Sequence, residues 1–249
     1  RSALAHYNRG VAREAAGEGD AQPSYDMALA LEPDHLPALA ARGWLLLEGG
    51  HAHAATADFA RLLALQPNDG AAWIGAGACA LARMDVADAL ASFDRAIVHL
   101  PREPMAWRGR ADALEQLGRI DDSLHARRQC LALAGTADDP ACELAMALSR
   151  AGEPDAARRT LAARGSALAQ WLAFQLLPIV YRDADEIAHW REHWRAGLAG
   201  FDARAQALGA AECAAVLAST PGFFRHYLDD DLLDDQRHAA AVVERMVHA

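Results

Sequence analysis

Lysine is absent from this 249-residue sequence, and all 24 of its basic residues are arginine. We interpret this bias as a consequence of a GC-rich genome rather than as chemistry. The arginines are scattered among 34 acidic residues, which leaves a net charge of −10. Nucleic-acid-binding proteins instead collect basic side chains on one face. The charge pattern therefore argues against a polyanionic partner.

Long apolar runs and paired cysteines are also missing. No window offers about 18 uncharged apolar residues, which a membrane-spanning helix needs. No basic start followed by an apolar stretch marks a signal peptide. The four cysteines occur singly, without a C-x-x-C pair, so buried thiols in a reducing compartment are expected rather than disulfides or metal ligands. Together these absences favour a cytoplasmic protein with no membrane partner.

Alanine is the residue that the sequence has in abundance. The chain is 53% hydrophobic but only 6% aromatic. Alanine has the best helix propensity and the smallest apolar side chain, so this composition favours closely packed helices. The best β-branched run, "IVHL" at 97–100, ends a helical pattern. An all-α protein is therefore expected.

A repeat organises the first two thirds of the chain. Pro33, Pro67 and Pro101 are spaced by 34 residues and close the similar phrases "ALALEP", "LLALQP" and "AIVHLP". One period later, Gly135 stands in the same position after "CLALA". A fixed period of this length is typical of stacked helical hairpins, each of which buries its apolar face against its neighbours.

Residues 70–103 carry the fullest form of the motif. Trp73 begins the first helix, Gly77 lets the partner helix approach, Ala89 and Phe93 line the second helix, and Pro101 ends it. Residues 36–69 repeat this with Gly43, Ala55, Phe59 and Pro67, and the turn glycines Gly50, Gly118 and Gly152 recur in one phase. In 104–137, Arg127 and Cys130 replace the aromatic and small residues.

This pattern resembles the tetratricopeptide repeat (TPR). The resemblance implies an all-α, right-handed superhelical solenoid of helical hairpins over residues 1–165, with units near 2–35, 36–69, 70–103, 104–137 and 138–165. Residues 166–249 break the period and are expected to form a helical cap or connector.

In TPR proteins the first helix of each repeat lines a groove that binds a peptide or a helix of another protein. The resemblance therefore suggests a set of groove residues: Asn8, Trp44, Leu47, Ile74, Leu81, Arg108, Asp112 and Glu115. Trp44 suits two roles equally, contact with a partner or packing against the next hairpin.

Some TPR grooves clamp a peptide backbone with an asparagine in every repeat. Here Asn8 is followed at that position by Ala41, Gly75, Gly109 and Glu143, so the ladder is absent. No recurring cationic clamp for a terminal carboxylate is present either. The groove suits an apolar or mixed helix or extended segment better than a strongly acidic tail. A homodimer of this chain is a further expectation.

The segment "EIAHWREHWRAGL" at 186–198 contains His189 and His193 in the H-x-x-E-H spelling of a zinc peptidase. On a helical wheel, however, a 60°-wide stripe belongs to Ile187, Trp190, Trp194, Leu198 and Phe201, and the histidines lie on its polar flank. A catalytic zinc needs a third protein ligand and an open position for water. No third ligand marks itself out, so we expect no metal site and no cofactor.

The same region resembles the connector that precedes the catalytic domain in bacterial SPINDLY and O-linked N-acetylglucosaminyltransferase-like proteins. The residues that carry this resemblance are Pro178, Tyr181, Glu186, Ile187, Trp190, Arg191, Phe223, Phe224, Tyr227, Asp230 and Asp231. Gly222 stands where that family often has asparagine. The nucleotide-sugar site of that family lies in Rossmann-like domains, whose Gly-rich loop and parallel-sheet pattern this chain lacks.

The sequence therefore predicts a protein- or peptide-binding TPR module with no catalysis of its own. The resemblance implies that it is the acceptor-recognition arm of a TPR-containing O-linked glycosyltransferase-like protein. A free-standing TPR adaptor is the alternative, and a zinc peptidase is the enzymatic rival.

Overall fold

The structure is a computed structural model that describes residues 2–17, 20–177, 182–219 and 233–247. These residues form fourteen helices and no strand. In chain order the helices are α1 (Ala3–Ala16), α2 (Gln22–Leu31), α3 (Leu36–Glu48), α4 (Ala52–Leu65), α5 (Gly70–Ala82), α6 (Val86–His99), α7 (Pro104–Gln116), α8 (Ile120–Ala134), α9 (Asp138–Arg150), α10 (Pro154–Ala162), α11 (Ala167–Gln175), α12 (Ala184–Ala205), α13 (Ala210–Ala218) and α14 (Leu233–Val247). The predicted all-α class is confirmed.

The chain divides into two compact units, Arg1–Leu133 and Ala134–Ala249. In the first unit, α1/α2, α3/α4 and α5/α6 pack as hairpins, and each hairpin packs on the helix that follows it. α8 joins α7 through hydrogen bonds from Ser123 to the Ala111 carbonyl and from Arg127 to Asp112. In the second unit, α9 and α10 pair in the same way, α10 packs on α11, and α12 to α14 follow. The predicted change from repeats to cap at residue 165 stays a prediction.

The repeated prolines act as helix terminators. Pro33, Pro67 and Pro101 each stand two residues beyond the end of the second helix of a hairpin. Proline lacks the backbone N–H that a continuing helix would need and disfavours the helical conformation before it. The next helix then begins from a capping side chain: Asp69, for example, accepts hydrogen bonds from the amides of Ala71 and Ala72.

Glycines let an aromatic ring lie between successive first helices. A Cβ on Gly43 would come within 2.9 Å of the Phe59 ring, and one on Gly75 within 2.3 Å. The fully buried Phe93 lies in the same way against Gly77 and Gly109, where a Cβ would meet the ring at 2.9 and 2.3 Å. The predicted role of Gly77 is confirmed. Close-packed cores have no room for the extra atom, so these positions select glycine.

The turn between the two helices of a hairpin also repeats. Gly50, Gly118 and Gly152 have φ values of 78°, 72° and 83°, the left-handed conformation that glycine adopts without strain. This confirms them as helix-ending residues. The α5/α6 turn differs, because Met84 occupies the same position of the repeat with φ of 65°.

In the second unit, aromatic residues of α11 and α12 form the core. Trp171 lies 4.9 Å from Phe201, and Phe174 lies 5.9 Å from Trp194, measured between ring centroids. The predicted apolar stripe is confirmed for four of its members, and Ile187 is half-buried. The four buried members are Trp190, Trp194, Leu198 and Phe201.

Most of the residues that carry the connector resemblance lie outside the described parts of the chain: Pro178, Tyr181, Phe223, Phe224, Tyr227, Asp230 and Asp231. Of the rest, Glu186 accepts hydrogen bonds from the guanidinium and from the backbone N–H of Arg182, which ties the start of α12 to the preceding turn. Across the described ranges, no helix combines the length and apolarity needed to cross a membrane.

Candidate peptide-binding groove

The predicted groove residues all lie on first helices of hairpins in the first unit. Their positions are Asn8 on α1, Trp44 and Leu47 on α3, Ile74 and Leu81 on α5, and Arg108, Asp112 and Glu115 on α7. First helices of successive hairpins are neighbours, since α3 contacts α5 and α5 contacts α7. Residues of α3, α5 and α7 that are far apart in sequence are thereby brought near one another.

Three of these residues meet in an open depression of about 460 Å³, which we call the α5/α7 depression. It is lined by Leu81, Asp112, Glu115 and Gln116. Gln116 was not among the predicted residues, since it lies at the end of α7. The depression offers an apolar wall from α5 and polar groups from α7, the combination typical of recognition pockets.

A buried arginine fixes the two carboxylates. Arg127 of α8 donates from Nη2 to Asp112 Oδ1 at 2.8 Å and to Glu115 Oε2 at 2.7 Å. The arginine side chain is only 8% exposed, whereas the aspartate is 40% and the glutamate 30% exposed. A guanidinium so far from water needs such partners, because a buried unpaired charge costs several kcal/mol.

Arg127 occupies the position of the repeat that holds Tyr25, Phe59 and Phe93 in the other hairpins. Burial disfavours its charged form, but hydrogen bonding to Glu115 and attraction to Asp112 outweigh burial and hold the pKa of Arg127 above its ordinary value. The guanidinium is therefore charged at any relevant pH. The repeat pattern in the sequence shows that Arg127 replaces an aromatic residue, but only the structure shows that the arginine orients both carboxylates of the depression.

Trp44 has the packing role that the sequence left open. Its ring meets Phe59 edge-on, with 5.3 Å between centroids, and it packs against the core clusters of two successive hairpins. The side chain is half-buried, so part of it stays accessible. Leu47 is half-buried in the same core. Ile74 differs from expectation: it is only 5% exposed, so it supports the groove from below and contributes little contact surface.

Asn8 and Arg108 are exposed at the surface of α1 and α7. Neither lines the α5/α7 depression. The candidate site is therefore centred on α5 and α7, with Trp44 and Leu47 on one side, rather than spread evenly along the first helices.

The histidine pair of α12 lies around a tryptophan. Trp190 meets His189 and His193 edge-on, at centroid distances of 5.6 and 5.5 Å, and the Arg158 guanidinium lies 5.1 Å from its ring centroid. Burial, followed by the charge of Arg158, lowers the pKa of His193. A cation at this distance disfavours a metal dication. Within the described ranges, no group of three histidine, cysteine or acidic residues could hold a metal ion.

Comparison with known proteins agrees with this fold. Residues 40–98 and 84–128 match the sequence model of the tetratricopeptide repeat. No curated protein sequence matches the chain significantly.

Several solved structures are similar. PilF of Pseudomonas aeruginosa matches with a TM-score of 0.62 and 17% identity, covering 88% of this chain and 97% of PilF. PilW, described as a widely conserved type IV pilus biogenesis factor, gives 0.60 and 22% identity, covering 65% of this chain and 76% of PilW. MamA from Desulfovibrio magneticus RS-1 gives 0.58 and 18% identity, with coverages of 65% and 92%.

At these identities the likeness establishes the fold and nothing finer. The chain has the all-α fold of a TPR protein, whose stacked hairpins form an extended concave surface of the kind that binds other proteins.

Proposed function

We propose that the chain binds an apolar or mixed segment of a partner protein along the first helices α3, α5 and α7. The α5/α7 depression is the anchoring point. Leu81 supplies an apolar contact there, and the carboxylates of Asp112 and Glu115 accept hydrogen bonds from the partner.

The observation that carries the proposal is the fixed orientation of these two carboxylates. Arg127 donates to one oxygen of each carboxylate, and the side chains of Asp112 and Glu115 remain 40% and 30% exposed. A basic side chain or an amide donor next to an apolar residue is therefore the complementary element of the partner.

A pull-down from extract of the source organism, read out by mass spectrometry, tests the proposal. Leu81→Glu puts a charge into the apolar wall, and the partner captured by the unmodified chain should be absent from its pull-down. Val98→Glu is the matched control, because Val98 is 76% exposed on a second helix. A Trp44→Ala/Arg108→Ala variant probes the rest of the groove.

Capture of the same partner by Leu81→Glu and by the unmodified chain would refute the groove. Circular dichroism must show that each variant stays folded. Light scattering of the purified chain distinguishes a second copy, the homodimer, from a different protein as the occupant.

A more specific proposal is that this module is the acceptor-recognition arm of an O-linked glycosyltransferase-like protein. The connector resemblance around Glu186 and Trp190 supports it. The similar structures PilF, PilW and MamA instead favour a free-standing adaptor. The parent reading frame decides: alternating strand and helix patterns after Ala249 support the transferase, and a stop codon there supports the adaptor.

A further inference from the structure

In two hairpins, the same position of the repeat holds an arginine that forms an ion pair. In α3, Arg42 donates from Nη1 to Asp26 at 2.8 Å and from Nη2 to Asp58 at 2.6 Å. In α7, exactly two periods later in sequence, Arg110 donates from Nε to Asp94 at 2.7 Å. Each arginine thereby ties its helix to the second helix of the preceding hairpin.

A leucine lies one turn after each of these arginines. Leu46 is 7% exposed and Leu114 is fully buried.

The hairpin between them, α5/α6, lacks both large side chains. Ala76 stands at the position of the arginines and Ala80 at that of the leucines. The acidic partners have changed as well, because Ala60 and Ser92 stand one period after Asp26 and Asp58. The two alanines contribute to an open pocket of about 400 Å³, within the size range of ligand sites.

We call this the α4–α6 pocket. Its lining residues are Thr56, Trp73, Ala76, Ala80, Arg83, Asp88, Ala91, Ser92 and Arg95. It shares no lining residue with the α5/α7 depression, so the two sites can be tested independently.

One arginine of the pocket, Arg95, suits an anionic ligand. Arg95 stacks on the Trp73 ring at 4.9 Å from its centroid and makes no ion pair within the described ranges. Arg83 is held in place by Thr56 Oγ1 and by Asp85 Oδ2, the latter at 3.0 Å. Trp73 is itself fixed, since its Nε1 donates to the Pro67 carbonyl at 2.8 Å.

Asp85 already pairs with Arg83, and Asp88 is the carboxylate that lines the pocket, so Arg95 is the cation that remains for a ligand. The inner wall of the pocket is the methyl groups of Ala76 and Ala80. We propose that the α4–α6 pocket binds an acidic segment of a partner protein. An aspartate or glutamate carboxylate of that segment accepts from Arg95, and an adjacent apolar side chain lies on Trp73 and the two alanines.

A phage-displayed random dodecapeptide library panned against the whole chain provides the probe. Peptides that bind this pocket should be enriched in adjacent acidic and apolar residues. A fluorescein-labelled peptide of the selected sequence then gives a dissociation constant by fluorescence anisotropy. Its affinity should fall as salt is added, because the recognised groups are charged and near the surface.

Three variants test the assignment. Ala80→Leu fills the pocket with the residue that α3 and α7 carry at this position, and it should abolish binding. Arg95→Gln removes the unpaired charge and should weaken binding about three- to tenfold. Arg61→Gln is the matched control: it lies one period earlier, pairs with Asp34 at 2.6 Å outside the pocket, and should leave the affinity unchanged.

Several results would overturn the proposal. Selected peptides without acidic enrichment, or no selection at all, would do so, as would equal affinity for Ala80→Leu and the unmodified chain. Loss of binding in Leu81→Glu but not in Arg95→Gln would assign the peptide to the groove instead. If Ala80→Leu fails to fold, the comparison of Arg95→Gln with Arg61→Gln still decides the question.

Discussion

Replacing Met84 with glycine should stabilise the protein. Met84 is the turn residue of the α5/α6 hairpin and has φ of 65°, while the equivalent residues of neighbouring hairpins, Gly50 and Gly118, have φ of 78° and 72°. A side chain in this left-handed conformation brings its Cβ close to the following carbonyl oxygen. The methionine side chain is 71% exposed, so little buried contact offsets the strain.

Two opposing effects set the magnitude. Relief of the left-handed conformation should contribute about 1–2 kcal/mol to the free energy of unfolding. The extra freedom that glycine gives the unfolded chain should subtract about 0.4–1 kcal/mol. The net expectation for Met84→Gly is a gain of about 0.5–1 kcal/mol in the free energy of unfolding. At roughly 2–4 °C per kcal/mol for a chain of this size, the melting temperature should rise by about 1–4 °C.

Urea denaturation followed by circular dichroism measures the change, with the midpoint compared at constant slope. Gly118→Ala is the reciprocal control. A Cβ there would meet nothing within 4 Å, so its expected loss of about 1 kcal/mol comes from the backbone alone. If Met84→Gly lowers the midpoint while Gly118→Ala also lowers it, the methionine is making contacts that outweigh the strain, and the reasoning fails.

Three further changes test the packing and the electrostatics. Gly75→Ala would place a Cβ 2.3 Å from a buried phenylalanine ring and should cost about 1–3 kcal/mol in urea denaturation. Trp190→Ala combined with Trp194→Ala removes two side chains that are each 4% exposed; at about 3–5 kcal/mol each, the second unit should become sensitive to limited proteolysis. Because the pKa of His193 is lowered in the folded state, its contribution to stability should be present above about pH 6.5 and lost as pH falls. His193→Gln should flatten that part of a melting-temperature profile.

The repeat could be predicted from sequence because its marker residues act over short distances. Pro67 ends its own helix, and Gly50 adopts its φ within its own turn. Phe59 and Gly75 act between neighbouring hairpins, at a separation that the period itself reveals. Each marker therefore leaves a signal that recurs every 34 residues, and the hairpins follow from it.

The site was less predictable, because its chemistry depends on which side chains turn toward each other. The pattern placed Ile74 and Leu81 on the same helix, but Ile74 is 5% exposed while Leu81 borders the depression. A helical wheel places His193 beside the apolar stripe of its own helix. Its half-burial near Arg158, however, depends on the contact between α12 and α10, which the wheel does not contain. Periodicity carries no information on such contacts.

The departures from the repeat are concentrated between α5 and α8. With alanine at position 80, the hairpin lacks the stabilisation of about 1.5–3 kcal/mol that a buried leucine would contribute. Met84 adopts a strained backbone conformation. Arg127 puts a buried charge where an aromatic ring would pack, and a buried ion pair is often no more stable than an apolar replacement.

In a solenoid each hairpin contacts only its neighbours, so a departure in one hairpin weakens that hairpin and the interfaces around it without any benefit elsewhere in the packing. Two of these three departures line or support a surface depression: Ala80 opens the α4–α6 pocket, and Arg127 orients the carboxylates of the α5/α7 depression. The loss of packing in both cases creates accessible, chemically defined surface. For this reason we place the recognition function in residues 70–137 rather than in the more regular repeat that precedes them.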